Sequence, residues 1–518
     1  MTSAESCYLS GMPNEIQSLL QDFGPGLTSD LISVLVENGL SSAAARKRIQ
    51  RAEDDYSRMS GLRFEKNARF IYLTEQYGSR QFWDKFEKAC YGSGKSYWGA
   101  LTTLKAKGGV VPLSHFPSVA GTPAARKGQL SPARVLERLK AVNVLEEFEE
   151  GERAYVRYRP FFLGIENMAV SLANEIAESV ALEGIKDWAR RIGFGSFGKF
   201  AIRGDEQPPQ VAGITWDLTA PSYIRPLVSV SQKGVKPGFL VCDISLFGSI
   251  ERPEAEAFLR KCDLASAPVG MPPIMPMIVG HVFSSDALEL LKGKGILAIT
   301  LRNLFGEELA QALRELVVML TDMGARASVN PDHLLKVMNS LTQIEGGSSN
   351  LRGALFELVI GSLVKDVENG YLKTGDRRQD LVSGRKAEID VQLDRGEQAG
   401  VLVIECKAKN ANSRVSESDI RKWYGDRVPL IYSILINGGS YKGKPFRFEL
   451  WSNGDFSASG LKWLTEQPLV MDGYTVGWRD GKALKQYADK AKNTSLRTML
   501  KDYYFHSPLR RVTANPSS

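Results

Sequence analysis

The sequence predicts a multidomain α/β protein, with mainly helical segments first and two mixed-sheet domains after them. Three observations predict it. Residues 13–160 place apolar side chains at helical spacing between Gly-containing turns. Residues 387–407 hold two strand-like runs, and the second ends in Glu-x-Lys. Residues 213–301 repeat the order strand, strand, helix, strand, helix, strand. A chain of 518 residues has room for roughly three to four domains at ~150 residues each.

Composition narrows the classes. Hydrophobic residues at 43% and charged residues at 24% exclude a collagen-like or disordered chain. No apolar run approaches the ~18 residues of a membrane span, and Met1 to Gly11 lacks a basic stretch leading into an apolar one. The cysteines, Cys7, Cys90, Cys242, Cys262 and Cys406, are scattered and form no CxxC pair. A disulfide framework and a cysteine zinc site are therefore not expected, and a reducing cytoplasmic setting is. Net charge is +7, divided as +4 over residues 1–160, −4 over 161–345, +2 over 346–469 and +5 over 470–518. Basic ends suit a polyanion such as nucleic acid.

At the N-terminus, Leu19, Leu20, Leu31, Ile32, Leu35 and Val36 line one side of a helix pair that stops at Asn38-Gly39. Ser41 or Ser42 caps a third helix, from Ala43 to about Met59, with Arg46, Lys47, Arg48 and Arg51 in its first turns. Leu62 to Leu73 reads as strand-turn-strand. A similar order follows: helices over Gln81–Cys90, Ser93–Lys107 and Pro132–Leu139, an extended segment from Gly108, and a hairpin around Glu150-Gly151. The pattern resembles tandem winged helix-turn-helix domains over 1–78 and 79–160. That resemblance implies DNA binding through the basic helix, although such folds also serve as protein docking modules.

The chemistry concentrates in residues 346–469. Ser349 or Asn350 caps a helix from Leu351 to Lys365, with Glu357 among its apolar positions. Ala387 to Leu393 alternates like a half-buried strand, Asp394 to Glu397 forms a turn, and Gly400 to Lys407 is apolar until Glu405-Cys406-Lys407. A hairpin near residue 397 places Asp390 opposite Ile404 or Glu405. With the second register both carboxylates share a face, and Glu405 and Lys407 share one in either. Clustered carboxylates repel unless a cation lies between them, and oxygen ligands suit Mg²⁺ or Mn²⁺. Asp390 and Glu405 would hold the metal, with the Cys406 carbonyl as a further ligand. Lys407 would orient the attacking water or help deprotonate it, and Glu357 would complete the cluster through a water or a second metal.

This set resembles the PD-(D/E)XK, or restriction-endonuclease-like, nuclease superfamily, with Ile389 where the motif has Pro. The resemblance implies a mixed sheet flanked by helices and metal-dependent phosphodiester cleavage. It points to a DNA endonuclease in restriction or anti-phage defence. Structure-specific repair nucleases, RNA nucleases and a non-catalytic DNA-binding adaptor remain alternatives. A helix over Ser416–Tyr424 and a strand over Leu430–Ile436 are expected next. Lys409, Arg414, Arg421 and Lys422 are candidate phosphate contacts.

Residues 161–345 run parallel to this region. A helix over Glu166–Leu182 precedes strands over Gly213–Thr219, with Asp217 central, and Gly238–Ser245, with Asp243. A helix (Glu254–Cys262), a strand (Met277–Phe283), a helix (Asp286–Leu291) and a strand (Gly295–Leu301) follow. Ser245 stands where the lysine belongs, so this is read as a degenerate, inactive nuclease-like domain; an unrelated α/β domain is the alternative. His115, His281, His333 and His506 do not cluster with acids. Gly193 to Lys199 has P-loop glycine spacing, but Phe200 stands where the Mg²⁺-binding Ser or Thr belongs. An ATPase or activator would have to be a partner protein, and a homodimer would supply the two active sites of a double-strand break. The basic tail from Tyr474, with Trp478, Tyr487, Tyr503, Tyr504 and Phe505, either stacks on nucleic acid or packs on the core. Residues 346–518 form the expected catalytic domain with this extension, and the chain after Val512 reads as disordered.

Overall fold

The structure is a computed structural model that describes residues 15–150, 153–159, 166–196, 198–231, 234–321, 330–341, 349–409 and 413–505. The chain divides into two compact units. The first comprises Met1–Leu172 and Trp188–Leu304, and the second Ala173–Asp187 and Phe305–Ser518. The helices Glu307–Thr321 and Pro331–Leu341 therefore group with the C-terminal sheet rather than with the middle one. Among the described residues no helix is long and apolar enough to cross a membrane.

The first unit opens with one element order used twice. Helix Glu15–Phe23, strand Gly26–Leu27, helices Thr28–Glu37 and Ser42–Arg51, and strands Ser57–Arg58 and Phe70–Tyr72 come first. Helix Lys95–Ala106, strand Val110–Pro112, helices Phe116–Ala120 and Pro132–Ala141, and strands Leu145–Glu150 and Arg153–Tyr158 repeat it. In both small sheets the last strand lies in the middle. Ser41 caps the basic helix by accepting the Ala44 N–H. Ala45 and Ile49, one turn apart, anchor that helix on Ile16, Leu20, Leu31, Leu35 and Ile71.

The strand-turn-strand expected over Leu62–Leu73 is not formed. The hairpin pairs Ser57 with Tyr72 and Arg58 with Ile71. Between them Met59, Leu62, Phe64 and Ala68 drop into the core, and Lys66 and Asn67 take positive φ (55° and 58°), which ends strand geometry. The expected turn at Gly151 lies outside the described residues, as does everything after Phe505.

The middle sheet orders Ala201–Ile202, Leu218–Ser222, Gly238–Ile250, Ile274–Phe283 and Leu297–Thr300, antiparallel across the first two pairings and parallel across the last two. The C-terminal sheet orders Tyr371–Gln379, Lys386–Asp394, Val401–Lys407, Phe446–Ser452 and Tyr474–Arg479 with the same senses. Val470–Met471 is added at its edge. In each sheet, helices connect the parallel strands: Arg252–Ser266 and Ser285–Gly293 in the first, Val428–Asn437 and Ala458–Thr465 in the second.

Three expectations change here. The strand over Gly213–Thr219 is broken, because Ile214–Thr215 pairs locally with Gln210–Val211 while Leu218–Ser222 joins the main sheet. Leu430–Ile436 is helical, within Val428–Asn437. Its β-branched residues suggested a strand, but Pro429 sits in the first turn and Val428, Ile431 and Leu435 bury one helical face. Phe446–Ser452 supplies the parallel strand instead. Finally, Tyr371–Gln379 is a strand that polar composition concealed.

Candidate active site

The site is set by the register of one hairpin. Lys386–Asp394 pairs with Val401–Lys407 so that Val391 faces Ile404 and Leu393 faces Leu402. The same count sets Asp390 across from Glu405. In antiparallel strands, opposed side chains share a face, so the two carboxylates are neighbours. Both are buried, Asp390 at 9% exposure and Glu405 at 4%. Lys407, two residues on, reaches Glu405 Oε1 at 3.0 Å.

Asp390 is held by the backbone. The Cys406 N–H donates to Asp390 Oδ2 at 2.7 Å. In a strand, a residue's N–H and C=O point to the same side, so the Cys406 carbonyl also points toward the Asp390 strand. The oxygen set of Asp390, Glu405 and this carbonyl is hard and anionic, the chemistry that suits Mg²⁺ or Mn²⁺. No cluster of three or more His, Cys, Asp or Glu side chains is assembled among the described residues. The set therefore relies on two carboxylates and a main-chain oxygen.

Electrostatics show the strain of that arrangement. Burial, and next the charge of Glu405, push the Asp390 carboxyl up to about 8, against the opposing pull of Arg427 and the Cys406 N–H. Burial alone would lower the Lys407 ammonium, but its bond to Glu405 and the charge of Asp390 raise it. Among the described residues no lysine or arginine forms an ion pair with Asp390. Lys407 and Arg427 both pair with Glu405 at the same oxygen, Oε1.

Arg427 carries no signal in the sequence. It ends a π-helical turn, Trp423–Arg427, lies 3.1 Å from Glu405 Oε1 and donates to the Glu388 carbonyl at 3.0 Å. Burial would lower its guanidinium, yet Glu405, Asp390, Glu388 and Glu357 together raise it. Glu357, on helix Ser349–Glu368, is thus close enough for its charge to be felt at Arg427, and it also raises the Cys406 thiol, behind burial and Asp390.

The other candidates scatter. Arg46, Lys47, Arg48 and Arg51 are exposed on helix Ser42–Arg51 of the first unit, and Arg48 pairs with Glu15. Lys409 lies 3.4 Å from Asp419 and its N–H donates to Asn453 Oδ1. Arg414 is exposed, and Arg421 pairs with Glu417 within its own helix. Lys422 sits in that helix beside it. In the tail, Tyr487 donates to Glu368 and stacks edge-on against Trp451, while Tyr504 is buried against Phe356. These two tyrosines take the packing alternative rather than the stacking one. Trp478 is half-buried beside the same sheet core, and Tyr503 and Phe505 are also half-buried.

No protein-family model matches this chain, and no curated protein does. Among solved structures it is similar to the DNA modification-dependent restriction endonuclease AspBHI, at 13% identity and a TM-score of 0.18, over 35% of this chain and 41% of that one. It is also similar to the MspJI restriction endonuclease in complex with a 27-mer oligonucleotide, at 13% identity and a TM-score of 0.18, over 40% of this chain and 47% of that one. The chain thus spans less than half the length of either.

Proposed function

We propose that this protein is a metal-dependent nuclease of the PD-(D/E)XK type that cleaves DNA at Asp390, Glu405 and Lys407. One observation carries the reading: two buried carboxylates face each other across a hairpin, with a lysine two residues on and a main-chain carbonyl on the same side. A sheet gains no stability from opposed buried carboxylates, so a function that needs the charge explains them better.

Asp390, Glu405 and the Cys406 carbonyl would hold Mg²⁺ or Mn²⁺, with Glu357 nearby to bind through water. When bound, such an ion neutralises charge on the scissile phosphate and acidifies a water. The residues of the chain do the rest. Lys407 presents a donor next to Glu405 where the attacking water is oriented. Arg427 brings a second positive charge to the same carboxylate, suited to a phosphate oxygen. The repeated helical modules, read as winged helices, would place Arg46, Lys47, Arg48 and Arg51 on the DNA backbone, with Lys409 and Arg414 as further phosphate contacts in the unit that carries Asp390 and Glu405.

The test compares wild type with Asp390→Ala and Lys407→Ala on supercoiled plasmid, linear duplex, single-stranded DNA and RNA, with Mg²⁺, Mn²⁺ or EDTA. Cleavage of DNA that needs the metal and drops at least ~10³-fold in both variants is expected. Cleavage that survives Asp390→Ala or EDTA would sink the proposal, and cleavage confined to RNA would reassign the substrate.

A further inference from the structure

We infer that the middle sheet contains a second copy of the Asp390–Glu405 arrangement in which lysine ammonium groups stand where a divalent cation would sit. It goes beyond the proposed function and shares with it only the reading that Asp390 and Glu405 hold a metal.

The equivalence is geometric. Leu218 pairs with Cys242, which sets Asp217 across from Asp243 as Asp390 is set across from Glu405. The Ile244 N–H donates to Asp217 Oδ2 at 3.1 Å, the bond that Cys406 makes to Asp390 Oδ2. Sheet order and strand senses agree as well. Ser245, at the position of Lys407, donates to the Ala106 carbonyl instead.

What differs is the filling. Lys107, which closes helix Lys95–Ala106, puts its Nζ 3.2 Å from Asp217 Oδ2 and 2.6 Å from the Ile244 carbonyl. Those two oxygens correspond to Asp390 and the Cys406 carbonyl. Lys261 Nζ lies 2.5 Å from Asp243 Oδ2 and 3.0 Å from the Ser118 carbonyl. Asp217 Oδ1 accepts from Ser118 Oγ at 2.9 Å and from Arg203 at 3.2 Å. The two carboxylates thus already face the cations of Lys107, Arg203 and Lys261, whose charge opposes entry of a divalent ion. Asp217 is fully buried, and Lys107 and Lys261 are at most 7% exposed. The adjoining cavity, about 40 Å³, has room for water but not for a nucleotide.

Lys107 and Ser118 belong to the second helical module, so the filled site also fastens that module to the sheet. The consequence is that, of these two arrangements, the Asp390–Glu405 pair would hold the metal while the Asp217–Asp243 pair serves as a docking joint.

Two measurements decide it. In an Asp390→Ala/Glu405→Ala background, Mn²⁺ binding is followed by water proton relaxation. The inference expects no saturable binding, and binding that Asp217→Asn removes would overturn it. In the same background, Lys107→Ala should lower the melting temperature by about 5 °C or more, and Lys107→Arg, which keeps the charge, should recover most of that loss. Failure of Lys107→Ala to fold while Lys107→Arg folds supports the inference equally. Lys107→Ala melting within about a degree of its parent would overturn it. Wild type that binds no Mn²⁺ would count against the proposed nuclease and leave the Lys107 comparison to decide this one.

Discussion

Asp390 and Glu405 are buried side by side, and that burial sets a pH dependence. The Asp390 carboxyl, raised to about 8, keeps its proton in the metal-free fold at pH values where the unfolded chain has released it. Its contribution to stability is therefore complete below the ordinary carboxylate range and is lost as pH rises through about 8. Metal-free protein should lose stability between roughly pH 4 and pH 8, and Asp390→Asn should flatten that slope. Denaturant midpoints at several pH values check this; parallel slopes in both proteins would refute the assignment. Metal and proton compete for the same oxygens, so Mn²⁺ affinity should climb by up to about tenfold per pH unit below neutrality. Titration calorimetry at stepped pH reads it directly. The Asp390, Glu405 and Lys407 set was legible in the sequence because it depends on strand alternation and a short turn. Arg427 was not, because its approach to Glu405 requires a helix to fold back onto the strand.

Single elements carry constraints of their own. The strand bearing Glu405 is entered through Gly400, whose φ is +70° and whose added Cβ would lie 1.9 Å from the Pro445 carbonyl oxygen. That carbonyl accepts the Val401 N–H at 2.9 Å, so it cannot move away cheaply. Gly400→Ala should cost about 2 kcal/mol or more and disturb the Val401–Asp394 end of the strand that carries Glu405. Thermal melting together with cleavage rates would show it; an unchanged melting temperature would contradict the argument. The Val428–Asn437 helix marks the limit of local reading. Its β-branched, apolar run satisfies a buried strand and a buried helix alike, and only the competing strand at Phe446–Ser452 settles which it is.

Across the whole molecule, charge is the property that reaches furthest. Arg46, Lys47 and Arg51 are exposed on one short helix of the first unit, well removed in sequence from the candidate active site. If they contact phosphates, replacing all three with Glu should weaken DNA binding and lower the salt slope of log K by about 2–3. Cleavage at saturating DNA should fall far less than affinity does. Fluorescence anisotropy over a salt series makes the comparison, and an unchanged slope would remove this helix from the interface. Asp217 gives the matching prediction for the fold: Asp217→Ala removes a buried carboxylate from Lys107 and Arg203 and should cost about 3–5 kcal/mol, read by denaturant unfolding.

The sequence by itself determined the alternating hairpin that carries Asp390, Glu405 and Lys407 and the basic helix at Arg46–Arg51, while the register of Asp390 against Glu405 and its likeness to Asp217 against Asp243 waited on the strand pairing. The hairpin and the helix follow from patterns a few residues long: period-two alternation, helical spacing, caps and turns. Tertiary structure alone decided that Leu430–Ile436 is helical, that Arg427 joins Glu405, and that Lys107 and Lys261 fill the middle site. Those outcomes depend on contacts between residues far apart in the chain, such as Lys107 with Asp217. Nothing in the spacing of either residue announces the other. The desolvation that makes a buried charge seek its partner is felt only once the chain has folded around both.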